Sequence, residues 1–77
     1  MKADIRSFVV DQLLSGKAVE DQEDLLVSGL VDSIGVMRLV AYLEQQNDMQ
    51  IPPQDVTIEN FTSIDAITRY IAERQVP

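Results

Sequence analysis

Asp32 and Ser33, side by side in the stretch GLVDSIGVM at 29–37, are the residues whose types and placement could do chemistry. The chain contains no histidine and no cysteine. The usual general base, the commonest zinc ligand and any thiolate nucleophile are therefore missing, and a serine triad of the ordinary kind is excluded. A hydroxyl at a helix start has another use. A helix N-terminus carries partial positive charge and unpaired N–H groups, so it favours a phosphate or phosphodiester attached there. Another enzyme could phosphorylate Ser33 or link it through a phosphodiester, with Asp32 helping to position a metal-bound donor. The competing reading is structural. Asp and Ser are preferred helix caps, and losing a cap costs about 1 kcal/mol. Neither residue completes a capping box, because Gly35 and Val36 stand three positions on.

The elements that must position this pair follow from periodicity. Ile5, Phe8, Val9 and Leu13 fall on one helical face over 3–14, and Ser15-Gly16 is a natural stop. Residues 15–32 read as a long loop. Leu25, Leu26, Val27 and Leu30 give it apolar groups to pack on the core, and Glu20, Asp21, Glu23 and Asp24 give it negative charge. Those acids do not match the alternating ligands and central glycine of a calcium loop, so no metal site is assigned. The second helix covers 33–46, and Pro52-Pro53 forces an extended break after it. A short helical turn is expected over 56–61. Thr62 then reads as the N-cap of a last helix with Asp65 three positions on, and Ile64, Ile67, Tyr70 and Ile71 form its apolar face to about Arg74. No segment alternates long enough to be a strand. The expected fold is all-α: an antiparallel four-helix bundle with a short third helix and a long loop between helices 1 and 2, in one domain over 1–77.

Unrolled at about 100° per residue, the second helix shows two apolar stripes. Val36, Leu39, Val40 and Leu43 form the core face. Ile34, Met37 and Ala41 form another, roughly a third of a turn away, with Arg38 at its border. A small bundle needs only one wide buried stripe. The second is either a docking surface running back to Ser33 or is covered by loop 15–32.

Composition narrows the setting. Aromatics are 5% of the chain and tryptophan is absent, so an aliphatic core is expected. No apolar run reaches the roughly 18 residues of a membrane span, and the start MKADIRSFVV lacks the apolar stretch of a secretory signal. A cytoplasmic, monomeric protein without membrane insertion is the expectation. A net charge of −7 repels nucleic acid and anionic lipid; it either steers basic protein partners or only keeps a small protein soluble.

Read in order, GLVDSIGVMRLVAYLEQQNDMQIPPQDVTIENFTSIDAI resembles the acyl carrier protein family over nearly the whole chain. The family's helical bundle bears an Asp-Ser-Leu motif at the start of its second helix, and Asp32-Ser33-Ile34 falls on it. The resemblance implies that Ser33 is linked to 4′-phosphopantetheine, transferred from coenzyme A by a separate magnesium-dependent phosphopantetheinyl transferase. The arm's terminal thiol then carries acyl groups as thioesters, and the chain is no enzyme. Asp32, Ile34, Met37, Arg38 and Ala41 become the residues that dock partners, among them a loading ligase and downstream synthase or transferase enzymes of a fatty-acid or specialised pathway. Ile34 stands for the usual leucine, and Arg38 stands where many fatty-acid carriers have an acid. The paired glycines typical of peptidyl carrier domains are absent, which is more similar to freestanding carriers served by a dedicated AMP-forming ligase. Two alternatives stay open: an aminoacyl or peptidyl carrier, and an unmodified helical interaction module with Ser33 as a helix cap.

Overall fold

Helix α1 spans Lys2–Phe8 and runs on as a π-helical segment, Val9–Leu13. This computed structural model describes residues 1–74; positions 75–77 of the domain expected over 1–77 lie outside the described residues. The helix expected over 3–14 thus has two geometries. The Leu14 N–H bonds to the Val9 carbonyl, five residues back, at 3.0 Å, the signature of the wider π turn. Ser15 (φ 54) and Gly16 (φ 88) then end it in the left-handed region, which glycine enters freely and serine at some cost.

Helix α2 covers Ser33–Asn47, closing on a left-handed Asp48. Pro52 is extended, as a proline pair requires, and Pro53–Asp55 then forms one 3-10 turn inside the expected break. Helix α3 is Ile58–Phe61, capped by Thr57, whose side chain accepts the Asn60 N–H at 3.2 Å. Helix α4 is Ile64–Arg74. The described residues are all helix, turn and loop, with no strand, and none of their helices is long and apolar enough to cross a membrane.

The expected cap at Thr62 is corrected. Ser63 Oγ accepts the Ala66 N–H at 3.1 Å and starts α4. Thr62 closes α3 instead and donates its hydroxyl to Asp24 Oδ1 at 2.9 Å. Two capping residue types stand in a row, and only the docking of the 15–32 loop decides which one turns toward α4. Asp65 is no capping-box acid either. Its backbone N–H bonds to the Asp21 carbonyl at 2.9 Å, and its carboxylate pairs with Lys2 Nζ at 2.6 Å.

The core joins Ile5 and Val9 of the first helix, Leu39 and Leu43 of α2, and Ile64, Ile67 and Ile71 of α4. It is not purely aliphatic. Phe61 is 1% exposed, the largest fully buried side chain, and its ring meets Tyr70 at 5.6 Å. The other two aromatics, Phe8 and Tyr42, stack at 4.2 Å and join α1 to α2. Val36 and Val40, expected in the core face, are only half-buried. The long loop sends Val19, Leu25 and Val31 inward. Val27, expected to pack with its neighbours, is 75% exposed, because the turn organised by Asp24 points it outward. Arg6 ties this loop to α1 by pairing with Asp21 and donating to the Val19 carbonyl at 2.8 Å.

Tyr70 donates its hydroxyl to Asp55 Oδ2 at 2.7 Å, anchoring the 3-10 turn to α4. Burial first, then the Asp55 carboxylate beside it, pushes the Tyr70 hydroxyl up to about 12. A raised folded pKa means that this contribution is intact below the ordinary tyrosine value of about 10 and is lost as pH climbs from there to about 12. Urea midpoints at about pH 9 and about pH 11.5 should fall further for wild type than for Tyr70→Phe. Equal falls would remove Tyr70 as the cause.

Candidate functional site

The start of α2 divides the work between its two candidate residues. Asp32 is extended (φ −93, ψ −176) and is the N-cap. Its Oδ1 accepts the Gly35 N–H at 2.8 Å, and its carbonyl takes the Val36 N–H at 2.9 Å. Ser33 therefore occupies the first helical position and is not the cap. Its side chain is exposed, and Oγ has no hydrogen-bond partner among the described residues. The N–H groups of Ser33 and Ile34 belong to the first turn and have no intrahelical acceptor. A free hydroxyl thus sits beside two free N–H donors at the positive end of a 15-residue helix.

The loop delivers this start in a fixed place. Asp24 accepts the N–H groups of Leu26 (3.2 Å), Val27 (3.1 Å) and Ser28 (2.8 Å), besides the Thr62 hydroxyl. Partial burial alone would raise the Asp24 carboxyl, but the Thr62 bond and these three backbone bonds outweigh it and hold it below the usual carboxylate range. The Leu25 N–H reaches the Thr62 carbonyl at 2.7 Å, and Val31 returns to the Leu25 carbonyl at 2.8 Å. Sequence reading took Asp24 as one charge in an acidic run. Its spacing to Ser28 is the signal that could have identified a side-chain-closed turn.

Gly35 changes meaning here. As a helix residue it costs up to about 1 kcal/mol against alanine. It is buried, however, and a Cβ there would sit 2.9 Å from Val31 Cγ1 and 3.4 Å from Asp32 Oδ1. Val31 is itself in the core, so it has little room to give. Gly35→Ala should destabilise by about 1 kcal/mol or more, since overpacking of typically 1–3 kcal/mol exceeds the gain in helix propensity. A urea titration in which the alanine variant is more stable would reject the close approach.

Beside Ser33 opens a cleft of about 330 Å³ between α2 and α3, walled by Leu26, Val36, Met37, Val56, Ile58 and Phe61. It adjoins a second of about 360 Å³ that shares Val36, Met37 and Val56 and extends to Val40, Ala41 and Ile51. Glu44 holds the far wall by accepting the Ile51 N–H at 2.8 Å. A chain tethered at Ser33 would find apolar side chains along α2.

The second stripe is not covered by loop 15–32. Ile34 is 69% exposed and Met37 71%, and Ala41 is exposed with them. Arg38, also exposed, donates from its guanidinium to the Gln12 carbonyl at 3.2 Å, near the C-terminal end of the first helix, where a cation suits the helix dipole. Ser33, Ile34, Met37, Arg38 and Ala41 therefore share one face of α2, while Asp32, also exposed, turns a carboxylate oxygen back to cap the helix.

These features define a class: a small helical domain of the carrier type, which presents one hydroxyl at a helix start beside an apolar cleft. The family described as "Phosphopantetheine attachment site" matches residues 3–71. An acyl carrier protein of Campylobacter lari is 33% identical over 73 residues, covering 94% of this chain and 92% of that protein. The chain belongs to the acyl carrier protein family, whose members bear covalently attached 4′-phosphopantetheine and act as carriers, not catalysts.

Proposed function

We propose that Ser33 is the attachment residue for 4′-phosphopantetheine and that the chain is a cytoplasmic acyl carrier, itself without catalytic activity. A phosphopantetheinyl transferase would modify it, a ligase would load it, and downstream synthase or transferase enzymes of a fatty-acid or specialised pathway would take up its cargo. The observation that carries this reading is the division of labour at α2: Asp32 caps the helix, and the Ser33 hydroxyl is left exposed and unpaired. The residues fit the group. The phosphodiester would meet the free N–H groups of Ser33 and Ile34 at a positive helix end, and the arm would leave along an open apolar cleft. The group supplies a thiol, which this cysteine-free chain lacks, to hold acyl groups as thioesters. A flexible tether also raises the cargo's effective concentration at each partner.

The cleft favours acyl over aminoacyl cargo. The part beside Ser33 has no charged side chain in its lining, so an ammonium group laid there would lose water with poor compensation. The unmodified-module alternative made Ser33 the cap, a role that falls to Asp32. Incubation with coenzyme A, magnesium and a broad-specificity transferase tests the proposal. Intact mass should rise by one phosphopantetheine, located on the peptide containing Ser33. No gain, or a gain elsewhere, would overturn the assignment.

A further inference from the structure

Asp24 does more than close its own turn. Its carboxylate accepts the Thr62 hydroxyl at 2.9 Å, and the N–H of the next residue, Leu25, reaches the Thr62 carbonyl at 2.7 Å. One side-chain bond and one backbone bond thus clamp the loop to the junction of α3 and α4. From there the contacts run on toward Ser33. The Leu25 carbonyl holds the Val31 N–H at 2.8 Å. Leu25 and Val31 are both buried, and the Val31 side chain lies where a Cβ on Gly35 would go. Asp32 follows directly, extended, with Oδ1 on the Gly35 N–H at 2.8 Å. A continuous path therefore leads from Thr62 through Leu25 and Val31 to the start of α2.

We infer that Asp24, latched to Thr62, is a positioning residue for the modification of Ser33: by fixing Val31 it keeps the cap on Asp32 and leaves the serine hydroxyl free. The inference rests on the carrier reading for the reaction it serves. By residue type Ser33 can cap as well as Asp32 can. A slip of one residue would make it the cap, with Oγ accepting the Val36 N–H that now goes to the Asp32 carbonyl. A hydroxyl so engaged has committed a lone pair to the helix and turned toward its axis. Attachment needs that oxygen free. Ser33 Oγ must lose its proton to the transferase and bond to the phosphorus bearing pantetheine, while the pyrophosphate P–O bond of coenzyme A breaks and the nucleotide phosphate leaves. Neither Asp24 nor Thr62 lines the cleft beside Ser33, so the pair acts through the loop and not on the incoming group.

The test pairs amide hydrogen exchange with the kinetics of phosphopantetheine transfer from coenzyme A by a broad-specificity transferase. It uses the full chain, at a temperature where circular dichroism shows every variant folded. Asp24→Ala should lower kcat by about tenfold, with KM for the carrier within about twofold of wild type, because the hydroxyl is misplaced while the recognised surface remains. Its Gly35 amide should exchange about tenfold faster, while the amides of Leu39 and Leu43, deeper in α2, keep wild-type rates. Thr62→Val should move both readouts in the same direction by about threefold, having lost one bond of the latch. Thr62→Ser keeps the hydroxyl and should restore both. A wild type that takes up no phosphopantetheine removes the carrier reading, and this inference with it. A wild type that is modified, beside an Asp24→Ala variant with the same kcat, overturns the inference alone. So does a loss carried by KM, or exchange at Leu39 and Leu43 that rises as much as at Gly35, since either marks a merely structural role.

Discussion

Ser33→Ala is expected to take up no phosphopantetheine and yet to fold almost as stably as wild type. The first half follows from the attachment proposal, because no other oxygen at the start of α2 is both exposed and at the first helical position. The second half comes from the structure and differs from what a capping serine would give. A cap lost at Ser33 would cost about 1 kcal/mol. Ser33 Oγ makes no hydrogen bond among the described residues, and Gly35 is capped by Asp32 at 2.8 Å. Removing an exposed, unpaired hydroxyl stays within about 0.5 kcal/mol. Asp32→Ala should show the opposite stability pattern, losing about 1 kcal/mol while the serine hydroxyl remains in the chain. Intact mass and urea unfolding on the two variants check both halves. A modified Ser33→Ala sinks the site, and a loss near 1 kcal/mol would return the cap to Ser33.

Phe61→Ala should lose about 3–5 kcal/mol, the usual cost of emptying a buried aromatic site. The ring is 1% exposed and lies against Tyr70 with centroids 5.6 Å apart. It also forms part of the wall of the cleft beside Ser33. Its removal takes away core contact between α3 and α4 and loosens the wall past which the arm would leave. In a domain of this size, whose whole stability is of the order of 5–15 kcal/mol, such a loss takes a large share. Phe61→Leu keeps part of the volume and should recover a good part of the stability. Chemical unfolding of both variants measures this, and a loss below about 1 kcal/mol for alanine would mean that the ring is not packed as described.

Much of this molecule was legible without coordinates, because the features in question are local. The helices over 33–46 and from the expected cap at Thr62 to about Arg74 are written in apolar spacing, and the observed Ser33–Asn47 and Ile64–Arg74 differ from them by a residue at an end. The absence of histidine and cysteine excluded whole classes of chemistry from composition alone. The stretch around Asp32-Ser33 pointed to the carrier family before any contact was known.

What the spacing could not decide was every choice between neighbours of similar type. Asp32 and Ser33 are equally good caps by residue type, as are Thr62 and Ser63. In the second pair the path of the 15–32 loop made the choice, by bringing Asp24 to Thr62 and the Asp21 carbonyl to the Asp65 N–H; in the first, Asp32 is the residue whose carboxylate meets the Gly35 N–H. Gly35 read as a weak point in a helix until Val31 proved to lie where its Cβ would go. The second stripe of α2 could be bare or covered by loop 15–32 until the loop turned Leu25 inward to the core and left Met37 uncovered. Periodicity describes one helix against an unspecified interior. Which polar atom is satisfied, and which is left free for another molecule, depends on groups distant in the chain, and only the tertiary fold brings those together.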